Sequence, residues 1–228
     1  VRSAAICAAE RNNAVDSCRP VTARLFFGGK YFSYNDAKKI GFIREDIEKN
    51  SSNLTKKEKN ILIASLLYSI DKIANTVGHY DAYIKKNVLS DKFIFNCIEP
   101  YKFLKKKIYI TRKDANELAK ELDCDIVYID PPYNSRQYSR FYHLLENIAC
   151  WKKPILSGEA LKPPVENMSE YCRVKAKDAF ADLILKLNLV NALVFTLSIS
   201  ALNLSLSYSL PSNIVSNAHL YVFTILAK

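Results

Sequence analysis

The chain has 228 residues, of which 49% are hydrophobic, so its composition excludes a disordered tail and suffices for one sizeable core, or a core with a subdomain. The 33 basic and 23 acidic residues give a net charge of +10, which fits a polyanionic partner or an ordinary lysine-rich surface. Six cysteines form no C-x-x-C pair and only three histidines accompany them, so no zinc site is expected.

The N-terminal segment predicts a helix followed by a hairpin. An alanine-rich stretch from Arg2 to Asn13 favours a helix, and charged residues interrupt every candidate signal peptide, which predicts reduced thiols and a cytoplasmic location. Two β-prone runs, 21–27 and 30–33, flank Gly28-Gly29 as in a β-hairpin. A phosphate-binding glycine loop is the alternative, but it requires a following helix, and none is predicted there.

The next segment predicts an amphipathic helix that begins at Thr55. Thr55 and Glu58 form a capping-box pattern, and Gly78 is a candidate end of the helix. Ser51–Asn53, just before the helix, is a candidate linker between two subdomains. The positions expected to face the core recur at helical spacing: Ile61, Leu62, Ser65, Leu66, Ser69, Ile70 and Ile73. Beyond this helix, His79 is interpreted as structural rather than catalytic.

A β-α-β pattern follows in the middle of the chain. Residues 107–110 suit a short strand, 114–122 a helix, and 125–129 a buried strand that ends in Asp130. Ligands of open α/β sheets bind outside the carboxyl ends of the strands. Asp114 and Asp130 are therefore predicted to share one crevice.

The residues after that buried strand read Asp130-Pro131-Pro132-Tyr133, which suits methylation of an amino group. The exocyclic nitrogen of adenine is a poor nucleophile because its lone pair is delocalised into the ring. The Asp130 carboxylate and the Pro131 carbonyl can accept hydrogen bonds from the two hydrogens of this amino group. These hydrogen bonds favour a pyramidal nitrogen. Proline stiffens the turn, and Tyr133 can stack on a base swung out of the duplex. A plain loop is the alternative, but its place directly after an apolar strand argues against it.

Polar residues continue beyond this motif. Asn134, Arg136 and Gln137 are predicted to contact phosphates or the edges of the flipped base. A helix is predicted to start at Ser139, with an apolar stripe that is more often core than ligand pocket: Phe141, Leu144, Leu145, Ile148 and Trp151. Nothing requires a general base from His143 on that helix, because methyl transfer can release its proton to solvent.

Residues 125–138 resemble the DPPY-type DNA adenine-N6 methyltransferases of bacterial restriction–modification systems. Segments 75–83 and 138–151 also look like parts of such enzymes, so the resemblance extends from about residue 10 to 187. It implies transfer of a methyl group from S-adenosylmethionine to adenine N6 in a specific sequence of double-stranded DNA. A cognate restriction endonuclease is an implied partner, and no membrane association is expected.

The resemblance also implies a fold and the roles of two residues. The fold class is α/β, with an incomplete S-adenosylmethionine-dependent (Rossmann-like) methyltransferase sheet and a mainly helical insertion or recognition region. Asp114, followed by Ala115, resembles the acidic residue that contacts the donor's adenine ring, and Asp130 also borders the cofactor. Residues 1–105 are expected to form a hairpin and a mainly helical part for DNA recognition, and residues 106–228 the catalytic core.

The chain departs from this family in two respects. None of its five glycines lies in a donor-binding loop, an apolar run followed by an acid and Gly-x-Gly. The segment 187–227 contains no Lys, Arg, Asp or Glu. It predicts a buried strand within 189–198 and a terminal hairpin near 218–225, with a translated altered frame or a membrane span as alternatives. The alternative to an active enzyme is a methyltransferase remnant that binds DNA without catalysis.

Overall fold

The computed structural model describes residues 27–100, 109–122, 126–130, 135–165, 168–187, 193–196 and 220–224. The chain divides into two compact units. The first contains Val1–Lys107 with Arg140–Pro164, and the second contains Ile108–Ser139 with Val165–Lys228. Each unit is therefore built from two separate stretches of the chain. The predicted N-terminal helix at 2–13 and the predicted strand at 21–26 lie outside the described residues.

The first unit begins with a glycine turn that leads directly into helix α1, Tyr34–Lys49. The Ser33 hydroxyl caps this helix by accepting from the Asp36 amide at 3.0 Å. The prediction of a hairpin strand at 30–33 was wrong, because this segment is a turn with one isolated bridge between Gly28 and Phe32. A helix does follow this turn, so the prediction of no helix there was also wrong. The sequence analysis missed α1 because charged residues interleave with the apolar ones along this segment and obscure the helical spacing.

Gly29 shows why this turn does not act as a phosphate-binding loop. Its φ is +76°, which favours glycine, and a Cβ atom there would lie 2.7 Å from the Tyr34 hydroxyl. Its amide donates to the Phe32 carbonyl at 2.8 Å and is therefore already used within the turn. Gly29 therefore allows a tight turn beneath the Tyr34 side chain at the start of α1.

Helix α2, Lys56–Asp71, confirms the predicted capping box. The Thr55 hydroxyl accepts from the Glu58 amide at 3.3 Å, and the Glu58 carboxylate accepts from the Thr55 amide at 2.9 Å. The helix ends at Asp71, so the predicted end at Gly78 was wrong. The linker prediction for Ser51–Asn53 was also wrong, because this segment is a 3₁₀ turn inside the first unit. The predicted inner face is confirmed by the buried Leu62, Ser65, Leu66, Ser69 and Ile70.

The predicted helix from Ser139 is divided into two parts. Helix α4, Tyr138–Phe141, precedes helix α5, His143–Cys150, and Tyr142 separates them. The apolar stripe is confirmed at Leu144 and Ile148, which are buried in the same core as α1 and α2. This core also contains aromatic rings from the turn and from the segment after α2, among them Phe27, Tyr31, Phe32 and Tyr80.

The second unit contains a parallel sheet of three strands. Strand β1, Ile126–Asp130, lies between β2, Leu193–Thr196, and β3, Leu220–Thr224. Helix α3, Ala115–Leu118, precedes β1 and continues as the 3₁₀ turn Ala119–Glu121, and helix α6, Ala176–Lys186, precedes β2. This arrangement confirms the predicted helix and buried strand, and gives a helix-rich α/β architecture with few strands in the described part of the chain.

Alternation along β1 determines which of its residues enter the core. Val127 and Ile129 are at most 1% exposed and pack against residues of α3 and α6, including Ala115, Phe180 and Leu183. Successive side chains of a strand face opposite sides of the sheet. Tyr128 and Asp130 therefore face the other side, and both are partly exposed.

One strand prediction from the sequence differs from the structure. Tyr109 and Ile110 belong to no strand and are 69% and 92% exposed, so the predicted strand at 107–110 was wrong for its described half. Residues 220–224 form strand β3, which pairs in parallel with β1, and the rest of the predicted terminal hairpin lies outside the described residues. The buried strand predicted within 189–198 is confirmed by β2. No helix among the described residues is long and apolar enough to cross a membrane.

Candidate active site

Asp130 is the last residue of the central strand. In the ladder it is opposite Thr224 of β3, while its neighbour Ile129 is opposite Thr196 of β2. Because all three strands run in parallel, their carboxyl ends meet at one edge of the sheet, where α/β proteins bind their ligands. The partly exposed Asp130 carboxylate is thus at the position expected of a reactive group. The next four predicted site residues, Pro131, Pro132, Tyr133 and Asn134, lie outside the described residues.

Asp114 and Ala115 lie at the start of α3, on the side of the sheet covered by helices. The Asp114 carboxylate caps the helix, since its Oδ1 accepts from the amides of Asn116 at 3.0 Å and Glu117 at 3.2 Å. Ala115 is 9% exposed and packs in the core beneath β1. The structure gives both residues a structural task, and their contact with a cofactor stays a prediction.

A polar network beside α3 was missed by the sequence analysis. The Tyr171 hydroxyl donates to Asn116 Oδ1 at 2.5 Å. The Asn116 amide donates to Asp182 Oδ2 at 2.7 Å and to the Ala179 carbonyl at 2.9 Å. Burial, followed by the charges of Asp114 and Asp182, raises the pKa of Tyr171 and keeps its hydroxyl a donor. No local pattern could reveal this network, because Asn116 lies more than 50 residues before its partners in sequence.

Arg136 and Gln137 differ in their surroundings although they are adjacent. Arg136 is exposed, whereas Gln137 is 4% exposed. Both polar atoms of the Gln137 side chain bond to the backbone of Ser169. Substrate contact by Arg136 stays a prediction that its exposure favours. The same prediction for Gln137 is not favoured by its burial.

Two histidines of the first unit are in structural positions, in keeping with their interpretation from the sequence. The His79 ring stacks on Phe141 with centroids 4.6 Å apart. His143 is 1% exposed, and its two ring nitrogens face the carbonyls of Arg140 and Ala160 at 2.8 and 3.1 Å. Burial lowers the pKa of His143, and the two carbonyls that face its ring nitrogens oppose this shift.

A carboxylate at the end of the central strand of a parallel α/β sheet, followed in sequence by Pro-Pro-Tyr, is typical of methyltransferases that act on amino groups. Residues 22–196 match the model of one such family, the D12 class N6 adenine-specific DNA methyltransferases. The match covers most of the chain, and the chain belongs to this family.

Curated relatives agree with this assignment. The chain is 41% identical over 166 residues to the modification methylase StsI of Streptococcus sanguinis, and 39% identical over 171 residues to the type II methyltransferase M.FokI of Planomicrobium okeanokoites. These alignments cover 69% and 72% of this chain but only 25% and 26% of the relatives. M.NlaIII of Neisseria lactamica is 38% identical over 150 residues, which are 64% of this chain and 43% of that protein. No solved structure matches the chain.

Proposed function

We propose that this chain carries the acceptor side of an enzyme that transfers a methyl group from S-adenosylmethionine to adenine N6 in a specific sequence of double-stranded DNA. The observation that carries the proposal is the position of Asp130 at the carboxyl end of the central strand. A carboxylate there accepts a hydrogen bond from the N6 amino group and draws electron density back onto the nitrogen. A cognate restriction endonuclease and a cytoplasmic location stay predictions from the sequence.

S-adenosylmethionine, when bound, supplies the electrophilic methyl group, and the described residues fit its site only in part. Asp114 lies at the start of α3, but its Oδ1 is used in capping. All five glycines of the chain lie in the first unit, at positions 28, 29, 41, 78 and 158. No glycine-rich turn therefore follows a described strand of the second unit. Among the described residues, Asp130 fits the acceptor side of the reaction, and only Asp114 is a candidate for the donor side.

That mismatch favours a second candidate, a methyltransferase remnant that binds DNA without catalysis. The two candidates are separated by incubating the chain with S-adenosylmethionine labelled on its methyl group and with duplex DNA of varied sequence. The proposed enzyme produces labelled N6-methyladenine after nucleoside digestion, and calorimetry shows saturable binding of the donor. DNA binding without donor binding or product would instead identify the remnant.

The exposed face of α2 is our candidate for the DNA contact of the first unit. One side of this 16-residue helix is buried, and the other carries Lys57, Asn60, Ala64 and Tyr68, with Lys72 just beyond its end. The Lys72 ammonium lies 4.2 Å from the centroid of the Tyr68 ring. At 1.5 Å per residue such a helix is about 24 Å long, and the major groove is wide enough to admit a helix. Lysines near both ends then complement the phosphates of the duplex.

Replacing Lys57 and Lys72 together with Gln is expected to weaken DNA binding most at low salt. Each lost phosphate contact lowers the slope of log Kd against log salt concentration by about 0.9, so the double variant loses about 1.8. Fluorescence anisotropy of a labelled duplex at several salt concentrations measures this slope. The matched control replaces Lys175 and Lys177, two exposed lysines at the start of α6, and removes the same charge. Equal slopes for the two double variants would refute the assignment of α2.

A further inference from the structure

Gln137 forms a buried clamp seven residues after the end of β1. Glutamine is usually exposed, yet this side chain is 4% exposed. Its Nε2 donates to the Ser169 carbonyl at 3.0 Å, and its Oε1 accepts from the Ser169 amide at 2.7 Å. The side chain thus pairs with one backbone unit as a neighbouring strand would. Both ends of the amide are therefore engaged by Ser169 rather than presented to a substrate.

The partner of this clamp is itself fixed to the core beneath the sheet. The Ser169 hydroxyl caps the 3₁₀ turn Glu170–Cys172 by accepting from the Tyr171 amide at 3.3 Å. The Tyr171 ring packs in the same core as Val127 and Ile129 of β1. The Cys172 thiol donates weakly to the Arg136 carbonyl at 3.4 Å. Two adjacent residues of the chain, Arg136 and Gln137, are therefore tied to one short segment.

The catalytic motif begins at one anchor and is followed closely by the other. Asp130 is held in the central strand by its ladder with β3, and the clamp fixes the chain at Gln137. Only six residues, 131–136, separate these two points. Reacting groups must be held within a fraction of an ångström of their productive geometry, and this precision depends on the residues that support them.

We propose that Gln137 is a positioning residue for methyl transfer, whose paired hydrogen bonds with the Ser169 backbone hold the chain in place a few residues after Asp130 and the Pro-Pro-Tyr sequence. This inference rests on the proposed function. In this proposal Gln137 does not contact DNA. It acts through the short stretch of chain that joins it to Asp130. Such a residue affects the rate of the chemical step more than the affinity for DNA.

The test compares Gln137→Met with Lys177→Met. Methionine has a length similar to that of glutamine but cannot form either hydrogen bond, and we expect kcat of Gln137→Met to fall about 10- to 100-fold while KM for DNA changes less than about threefold. Lys177→Met introduces the same side chain at an exposed position of α6, outside the clamp, and should keep kcat within about threefold. A raised KM for DNA with an unchanged kcat in Gln137→Met would overturn the proposal in favour of a substrate contact.

Hydrogen exchange tests the clamp without a methyl donor. Gln137→Met should speed amide exchange in residues 133–137 and leave α2 in the first unit unchanged. Ser169→Pro removes the Ser169 amide donor at a φ of −76°, which proline adopts, and should have the same local effect. Unchanged exchange at 133–137 in both variants would overturn the clamp. If the wild-type chain transfers no methyl group but both variants still show faster exchange, the proposed function is refuted and the clamp is not.

Discussion

Replacing Asp130 with Ala is expected to lower the rate of adenine methylation by about 10³-fold and to leave DNA affinity within about twofold. The Asp130 carboxylate lies at the carboxyl end of the central strand. In the proposed function it accepts a hydrogen bond from the N6 amino group as the nitrogen becomes pyramidal. Removing one preorganised hydrogen-bonding group from such a transition state typically costs 10²- to 10³-fold in kcat. Asp130→Ala also removes a negative charge. Single-turnover transfer of labelled methyl groups measures the rate, and anisotropy measures the affinity.

Two further variants make the Asp130 result specific. Asp130→Asn keeps the size and one acceptor oxygen but adds an amide donor, so its rate should lie between wild type and Asp130→Ala. Asp178→Ala removes an exposed carboxylate from the first turn of α6 and should retain the full rate. Wild-type activity in Asp130→Ala would refute the assignment of this strand end as the acceptor site.

Replacing Arg44 with Ala is expected to lower the free energy of unfolding by about 3 kcal/mol. Arg44 is 2% exposed and donates to the carbonyls of Ile148 and Ala149 at 2.8 and 3.2 Å. These carbonyls belong to the last turn of α5, where the helix provides no partners. Each buried carbonyl left without a donor costs about 1–3 kcal/mol. The guanidinium also lies over the Trp151 ring at 5.3 Å, and this packing is lost as well.

Thermal unfolding followed by circular dichroism measures the effect of Arg44. A loss of about 3 kcal/mol corresponds to a fall in Tm of roughly 6–12 °C for a chain of this size. Arg173→Ala is the matched control, because Arg173 and its partner Glu170 are both 49% exposed and such pairs contribute less than about 1 kcal/mol. Arg44→Lys should be intermediate, since one ammonium cannot reproduce the fork that bonds both carbonyls. Equal shifts for Arg44→Ala and Arg173→Ala would contradict the prediction.

The elements that the sequence predicts correctly are those whose signal is local. The capping box at Thr55 is a three-residue spacing, and the buried strand before Asp130 is an apolar run bounded by polar residues. The apolar positions of α2 and the segment after Ser139 recur at helical spacing, and both face the core. Each pattern reflects hydrogen bonds or burial within one element, so neighbouring residues suffice to reveal it.

Several features that the sequence did not predict depend on distant parts of the chain. Residues 107–110 have the composition of a strand, but the described Tyr109 and Ile110 belong to no strand and remain exposed. The 220–224 run is a strand, and its partner β1 lies almost 100 residues earlier in the chain. The Gln137 side chain is bound at both atoms of its amide by the backbone of Ser169, 32 residues later.

The sequence by itself determined the family, the candidate carboxylate Asp130 and the strand that ends in it, because these features lie within one short contiguous segment. Tertiary structure alone decided which strands flank that carboxylate, which carbonyls Arg44 caps, and which polar side chain is buried as a clamp. It also decided that residues 140–164 return to the first unit. These outcomes depend on burial and on partners tens of residues away. The residues that are adjacent in sequence therefore do not indicate them.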